Sequence, residues 1–165
     1  VFMRRTIPYP MLATFDAPSR EACTVCRTPT NTPLQAFVTL NDPAFLEPAR
    51  LLGARYAQRA ADGASLDLRG AAGLDRRLLT ELLERALLRP AVAVQVDVLE
   101  ALLGDARGAF AADPGAAREF TVEADAGGAQ VLDRLSLAGV EPVEMAAWTV
   151  VASTVLNMDS FLTKE

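Results

Sequence analysis

Proline placement constrains this chain more than any other feature. Five of its ten prolines (Pro8, Pro10, Pro18, Pro29 and Pro33) fall within the first 33 residues. Each fixes φ and removes a main-chain donor, which breaks helix interiors and disfavours central strands. Residues 1–33 are therefore expected to form an extended, irregular arm. Phe2, Ile7, Tyr9, Met11, Leu12 and Phe15 give it too many apolar groups to leave in water, so it should dock on this domain or on a neighbour. Beyond the arm, proline changes its meaning. Thr32-Pro33, Asp42-Pro43 and Asp113-Pro114 each place a capping side chain before a proline at the first helical position, a combination that starts helices.

The spacing predicts a short helix from Pro33 to Leu40, stopped at Asn41. A second starts at Pro43, with Phe45, Leu46, Ala49, Leu52 and Tyr56 along one face; Pro48 leaves either a kinked first turn or a late start. Residues 61–73, rich in Gly, Ala and Asp, read as a loop. Leu74 to Arg89 is the clearest amphipathic helix, with Leu78, Leu79, Leu82, Leu83, Ala86 and Leu87 on one face and Glu81 four residues before Arg85 on the polar side. Ala91 to Phe110 fits two periods: Val92, Val94, Val96 and Val98 alternate as in a strand, whereas Leu99, Leu102 and Leu103 continue at helical spacing. Length decides for a helix. Asp113-Pro114 opens another element, which Gly127-Gly128 weakens. A last helix from Pro142 to Leu156 places Met145, Trp148, Val151, Ala152 and Val155 on one side and carries few charges, so it should be buried; Asn157-Met158-Asp159-Ser160 can end it through side-chain bonds to the backbone. The fold class is all-α, about five helices in an irregular bundle at 34–165 behind the arm at 1–33.

Composition removes several chemistries. The chain has no histidine, so it cannot itself supply a Ser-His-Asp or Cys-His nucleophile system, an imidazole zinc site or a His-ligated haem. A formal charge of −5 argues against a dedicated nucleic-acid binder. That charge is uneven: residues 1–60 carry seven arginines against four acids, a net +3, and the rest carries −8. No run of about 18 apolar residues is present, so no transmembrane helix is expected.

Specific chemistry concentrates between Phe15 and Gln35. This proline-stiffened stretch holds Asp16, Arg20, Cys23, Cys26, Arg27, Asn31 and Gln35 among several hydroxyls. Arg20 and Arg27 can fork onto a phosphate, sulfate or carboxylate, with Asp16 orienting them or acting as a base. The competing reading pairs Asp16 with Arg20, or uses both to cap turns, so that the loop simply holds the arm in place. Cys23-Thr24-Val25-Cys26 is a C-x-x-C, but the next residue is Arg27 rather than the histidine that c-type haem attachment needs. Two thiols without imidazole do not make a zinc site, so no metal is expected. What remains is a local disulfide, two free thiols, or a redox pair favoured by the arginines.

The stretches Pro10 to Pro18, Arg20, Cys23-Thr24, Arg27, Thr30 to Ala36, Leu40 to Pro43 with Phe45, and Ala146 to Glu165 carry a resemblance. They resemble the C-terminal half of a planctomycete-specific domain of unknown function, which follows cytochrome-type domains in large exported proteins. The resemblance implies that the chain is the C-terminal portion of a longer polypeptide, that this polypeptide is exported to the periplasm or cell envelope, and that any haem sits on a neighbouring domain. It implies no established reaction. The family usually has an arginine-like residue where this chain has Cys26, so C-x-x-C is not one of its features. Asp16, Arg20, Cys23, Arg27, Asn31 and Gln35 are the positions to watch.

The first functional reading is thus a structural or interaction module whose partners are upstream domains of the same polypeptide. The second is part of an enzyme or ligand site for an anionic, carbohydrate-like substrate, completed by an upstream segment. Thiol redox chemistry at Cys23 and Cys26 is the third.

Overall fold

The computed structural model describes residues 10–18, 25, 30, 32–65, 71–121 and 140–162, and every regular element among them is helical. The elements are α1 (Pro10–Thr14), α2 (Pro33–Asn41), α3 (Pro43–Ser65), α4 (Ala71–Leu87), α5 (Ala93–Ala112), α6 (Pro114–Thr121), α7 (Pro142–Leu156) and α8 (Asp159–Leu162). The all-α class holds, with more helices than the five expected. The chain divides into two compact units, Val1–Asp42 and Pro43–Glu165. The division falls at the Asn41-Asp42-Pro43 stop and restart, which leaves α2 with the N-terminal unit.

Two of the proline signals act as the capping argument requires. Thr32 caps α2 ahead of Pro33. Asp113 accepts from the Ala116 N–H at 3.1 Å ahead of Pro114 in α6. Pro142 opens α7. Helix α3 begins at Pro43 and carries Pro48 inside it, so it does not start late; the proline removes one donor from a long ladder.

Two readings of the sequence are corrected. Residues 61–65 and 71–73 belong to α3 and α4 rather than to a loop. Gln58 Nε2 donates to Asp62 Oδ1 at 2.9 Å, which supports the last turns of α3. Gly63 lies under the Leu74 side chain: a Cβ at 63 would stand 2.6 Å from Leu74 Cδ2. The N-terminal arm, expected to be irregular, contains the helical turn α1.

In the larger unit α7 is the axis. It packs against α3, α4, α5 and α6. Ala146, Ala147, Trp148, Thr149, Val151, Ala152 and Val155 are all buried, so α7 is enclosed on nearly every side, as an almost uncharged helix should be. Tyr56 stacks on Trp148 with ring centroids 5.7 Å apart. Helix α4 contributes Leu78, Leu79, Leu82, Leu83 and Leu87, and α5 contributes Val96, Leu99, Leu103 and Ala106. Each fully buried side chain of this size stabilises by roughly 1.5–3 kcal/mol. The alternating valines of α5 do not mark a strand: Val96 faces the core while Val92, Val94 and Val98 are exposed.

Burial pushes the Tyr56 phenol above its ordinary value of 10.0, and the nearby Glu81 carboxylate adds to the rise against Arg85, Arg59 and Arg55. A group whose pKa is higher in the folded state stabilises fully below its unfolded pKa and loses that contribution as pH rises through the folded one. Unfolding free energy should therefore fall above about pH 10, and Tyr56→Phe should flatten that fall. Denaturant titrations across this range, with and without the substitution, check it.

Candidate functional site

Two of the sequence-predicted residues, Asp16 and Gln35, come together in the N-terminal unit. Helix α1 ends in a Schellman arrangement: Ala17 N–H donates to Leu12 O at 2.8 Å and Asp16 N–H to Ala13 O at 3.2 Å. This geometry needs a left-handed residue, and Asp16 supplies it at φ 55°, a conformation that aspartate tolerates better than most. The carboxylate accepts from Thr30 twice, from its N–H at 2.8 Å and from its Oγ1 at 2.8 Å.

Gln35 locks the other side. It stands at the third position of α2, where its Oε1 accepts from Thr32 N–H at 2.9 Å while Thr32 Oγ1 accepts from Gln35 N–H at 3.3 Å. That is a reciprocal capping box. Its Nε2 donates to Thr14 O at 2.8 Å, and approaches Asp16 Oδ2 at 3.3 Å and Thr30 Oγ1 at 3.2 Å. Thr14, Asp16, Thr30 and Gln35 thus form a clasp that holds together the two ends of the stretch 17–29.

Arg20, Cys23, Cys26, Arg27 and Asn31 lie outside the described residues, and with them the disulfide or redox pair and the arginine fork. For Asp16 the geometry is informative. Its carboxylate accepts from Thr30 and, at 3.3 Å, from Gln35 Nε2, so it serves the clasp whatever else it meets. Sequence reading missed the roles of Thr14 and Thr30. The Thr32-x-x-Gln35 spacing was a legible signal for the capping box, whereas nothing in the sequence pairs Thr30 with Asp16 across 14 positions.

Polar groups elsewhere are also engaged with one another. A groove of about 360 Å³ on α4 is lined by Gly73, Arg76, Arg77, Thr80, Glu81 and Glu84. Of these, Arg76 pairs with Asp97 and Glu100 at 2.7 and 2.8 Å, and Glu81 with Arg59 and Arg85 at 2.6 and 2.9 Å. The hydrogen bond from Arg59 holds the Glu81 carboxyl below its ordinary value, with the charges of Arg59 and Arg85 assisting against some desolvation. Arg107 joins Asp75 and Glu144. Among the described residues no three acids or cysteines stand where they could hold a metal ion, and no helix is long and apolar enough to cross a membrane.

The family model described as PSD1, protein of unknown function (DUF1553), matches residues 1–103. The chain belongs to the DUF1553 family. Comparison with curated proteins and with solved structures gives no match. The DUF1553 match takes in the whole clasp, α1 to α4 and the first half of α5; α6, α7 and the second stretch of resemblance at 146–165 fall beyond it. Membership of the DUF1553 family assigns a domain of unknown function and no reaction.

Proposed function

We propose that this chain is a structural and interaction module of a larger exported protein, and that its N-terminal unit docks on upstream domains of the same polypeptide. The observation that carries this reading is the surface of α2. That helix has no charged residue, and Leu34, Phe37 and Leu40 are 57%, 65% and 53% exposed. The capping box and the clasp fix the helix in place, so the apolar face is presented on a pre-organised element. The resemblance to the planctomycete domain supports the finer points: placement after cytochrome-type domains, export to the periplasm or cell envelope, and haem carried by a neighbouring domain rather than by this chain.

The test is association between this chain and the separately produced upstream portion of its gene product, measured by calorimetry or sedimentation. Phe37→Asp places a charge in the middle of an apolar contact and should weaken binding at least about ten-fold, with the helical circular-dichroism signal unchanged. No association of the unmodified chain, or equal binding by Phe37→Asp, would refute the reading.

A further inference from the structure

We propose that the outer junction of α3 and α4 binds a tetrahedral oxyanion, a phosphate or sulfate group, between Arg55 and Arg85. The two helices run antiparallel, since Gly63 lies under Leu74 while Arg59, earlier on α3, bonds Glu81, later on α4. One further turn in each direction brings Arg55 level with Arg85. Arg55, Arg59, Glu81 and Arg85 therefore mark the corners of one patch, three of them cationic. The buried Tyr56 ring belongs to the same patch, with the Arg59 guanidinium 5.2 Å from its centroid.

One carboxylate serves all three arginines, and its oxygens are already taken. Arg59 uses both, Nη1 to Oε1 at 2.8 Å and Nη2 to Oε2 at 2.6 Å, and Arg85 reaches Oε1 through Nε at 2.9 Å. Arg55 is exposed and has no ion pair among the described residues. Its charge nonetheless helps to lower both the Glu81 carboxyl and the Tyr56 phenol, which agrees with its place at the patch. Neither helix offers it another acid. Its neighbours three and four residues away are Leu51, Leu52, Gln58 and Arg59, and those of Arg85 besides Glu81 are Leu82, Leu88 and Arg89. Glu84 stands about 100° round α4 from Arg85, with Oε1 3.5 Å from the Ala91 N–H. Three cations against one acid leave the patch at a net +2, on a chain whose formal charge is −5.

Two guanidiniums at one level with no acid between them repel, and an anion placed there turns that repulsion into two attractions. Packed helices lie about 8–10 Å apart, so arginine side chains from both can close on one oxyanion. Each planar fork presents paired N–H donors, which match the oxygens of phosphate or sulfate and give a halide no such advantage. Glu81 restrains Arg85 through Nε before any anion arrives, which reduces the ordering cost of binding. The outer side of the patch is open to water. Affinity is therefore modest, with a dissociation constant on the order of 1 mM.

Calorimetric titration of the whole chain with sodium phosphate and with sodium sulfate, at an ionic strength held constant with chloride, tests this. Saturable binding at one site is expected. Arg55→Gln and Arg85→Gln should each weaken it at least about five-fold, with the helical circular-dichroism signal unchanged. Arg55→Lys keeps the charge but loses the fork, so its loss should be smaller than that of Arg55→Gln. Arg118→Gln removes an exposed arginine from α6 and should leave binding as it was. Glucose 6-phosphate separates the two sources of the oxyanion: tighter binding than inorganic phosphate makes it the end group of a larger ligand, and equal or weaker binding makes it a free ion. A chain that binds neither phosphate nor sulfate, binding indifferent to Arg55→Gln or to Arg85→Gln, or an equal loss with Arg118→Gln would each overturn the proposal.

Discussion

Gly53→Ala is expected to destabilise the helical unit by about 2–3 kcal/mol, although alanine inside a helix normally gains up to about 1 kcal/mol over glycine. The reversal comes from the crossing of α3 over α7. A Cβ at position 53 would stand 2.6 Å from both Cα and N of Thr149, and 2.7 Å from its Oγ1. Two of these atoms are backbone, and none can step aside. Thr149 is fully buried, its hydroxyl donates to Met145 O at 2.7 Å, and α7 is braced by α5 and α6. The two helices would have to separate by nearly 1 Å, which would also loosen the Tyr56–Trp148 stack on the same pair of helices. Overpacking of this kind costs more than helix propensity returns. Gly53→Val, larger and β-branched, should lose more. Gly73 in α4 is the control, because a Cβ there meets nothing within 4 Å, so Gly73→Ala should be neutral or stabilising by up to about 1 kcal/mol. Urea unfolding of the three variants decides it: equal and favourable effects at positions 53 and 73 would mean that the close crossing does not exist.

This contrast between two helical glycines shows what the sequence could and could not reveal. Local signals were legible. Thr32-Pro33 and Asp113-Pro114 set helix starts through chemistry confined to three or four consecutive residues, and Pro142 to Leu156 was readable as a buried helix because it carries a single charged residue, Glu144. Long-range complementarity was not legible. Gly53 and Gly73 look alike along the chain, and only the position of Thr149 gives them opposite roles. Gly63 misled for the same reason, since the Leu74 side chain that packs on it belongs to the next helix. In α5 the valine alternation suggested a strand, but Val96 is buried while Val94 and Val98 are exposed. At the candidate site the Asp16 carboxylate was visible as a reactive group, whereas its engagement by Thr30 depended on a left-handed turn after α1 that no glycine announced.

Arg107→Leu is the second substitution expected to cost heavily, about 2–3 kcal/mol. The guanidinium joins three helices: it bonds both carboxylate oxygens of Asp75 at the start of α4, with Nη2 3.2 Å from Oδ1, and both of Glu144 in the first turn of α7, each at 2.8 Å. Burial alone would lower its pKa. The bonds to Asp75 and Glu144 outweigh that and raise it further above the ordinary arginine value, so the cation persists at any working pH. Removing it leaves two carboxylates facing each other, one of them on a side chain only 12% exposed. Breaking a buried ion pair from one side costs about 3–5 kcal/mol; water reaching Glu144, which is 32% exposed, places this site at or below the lower end. The charge and the geometry can be separated. Arg107→Lys keeps the cation but cannot fork onto both acids, so it should lose roughly half as much as Arg107→Leu. Replacing Arg107, Asp75 and Glu144 together with leucine should recover most of the loss, because the cost lies in the stranded carboxylates rather than in the missing attraction. If Arg107→Leu unfolds within about 0.5 kcal/mol of the unmodified chain, the range of ordinary surface substitutions, the three helices are held by apolar packing alone and the ion-pair network adds nothing to it.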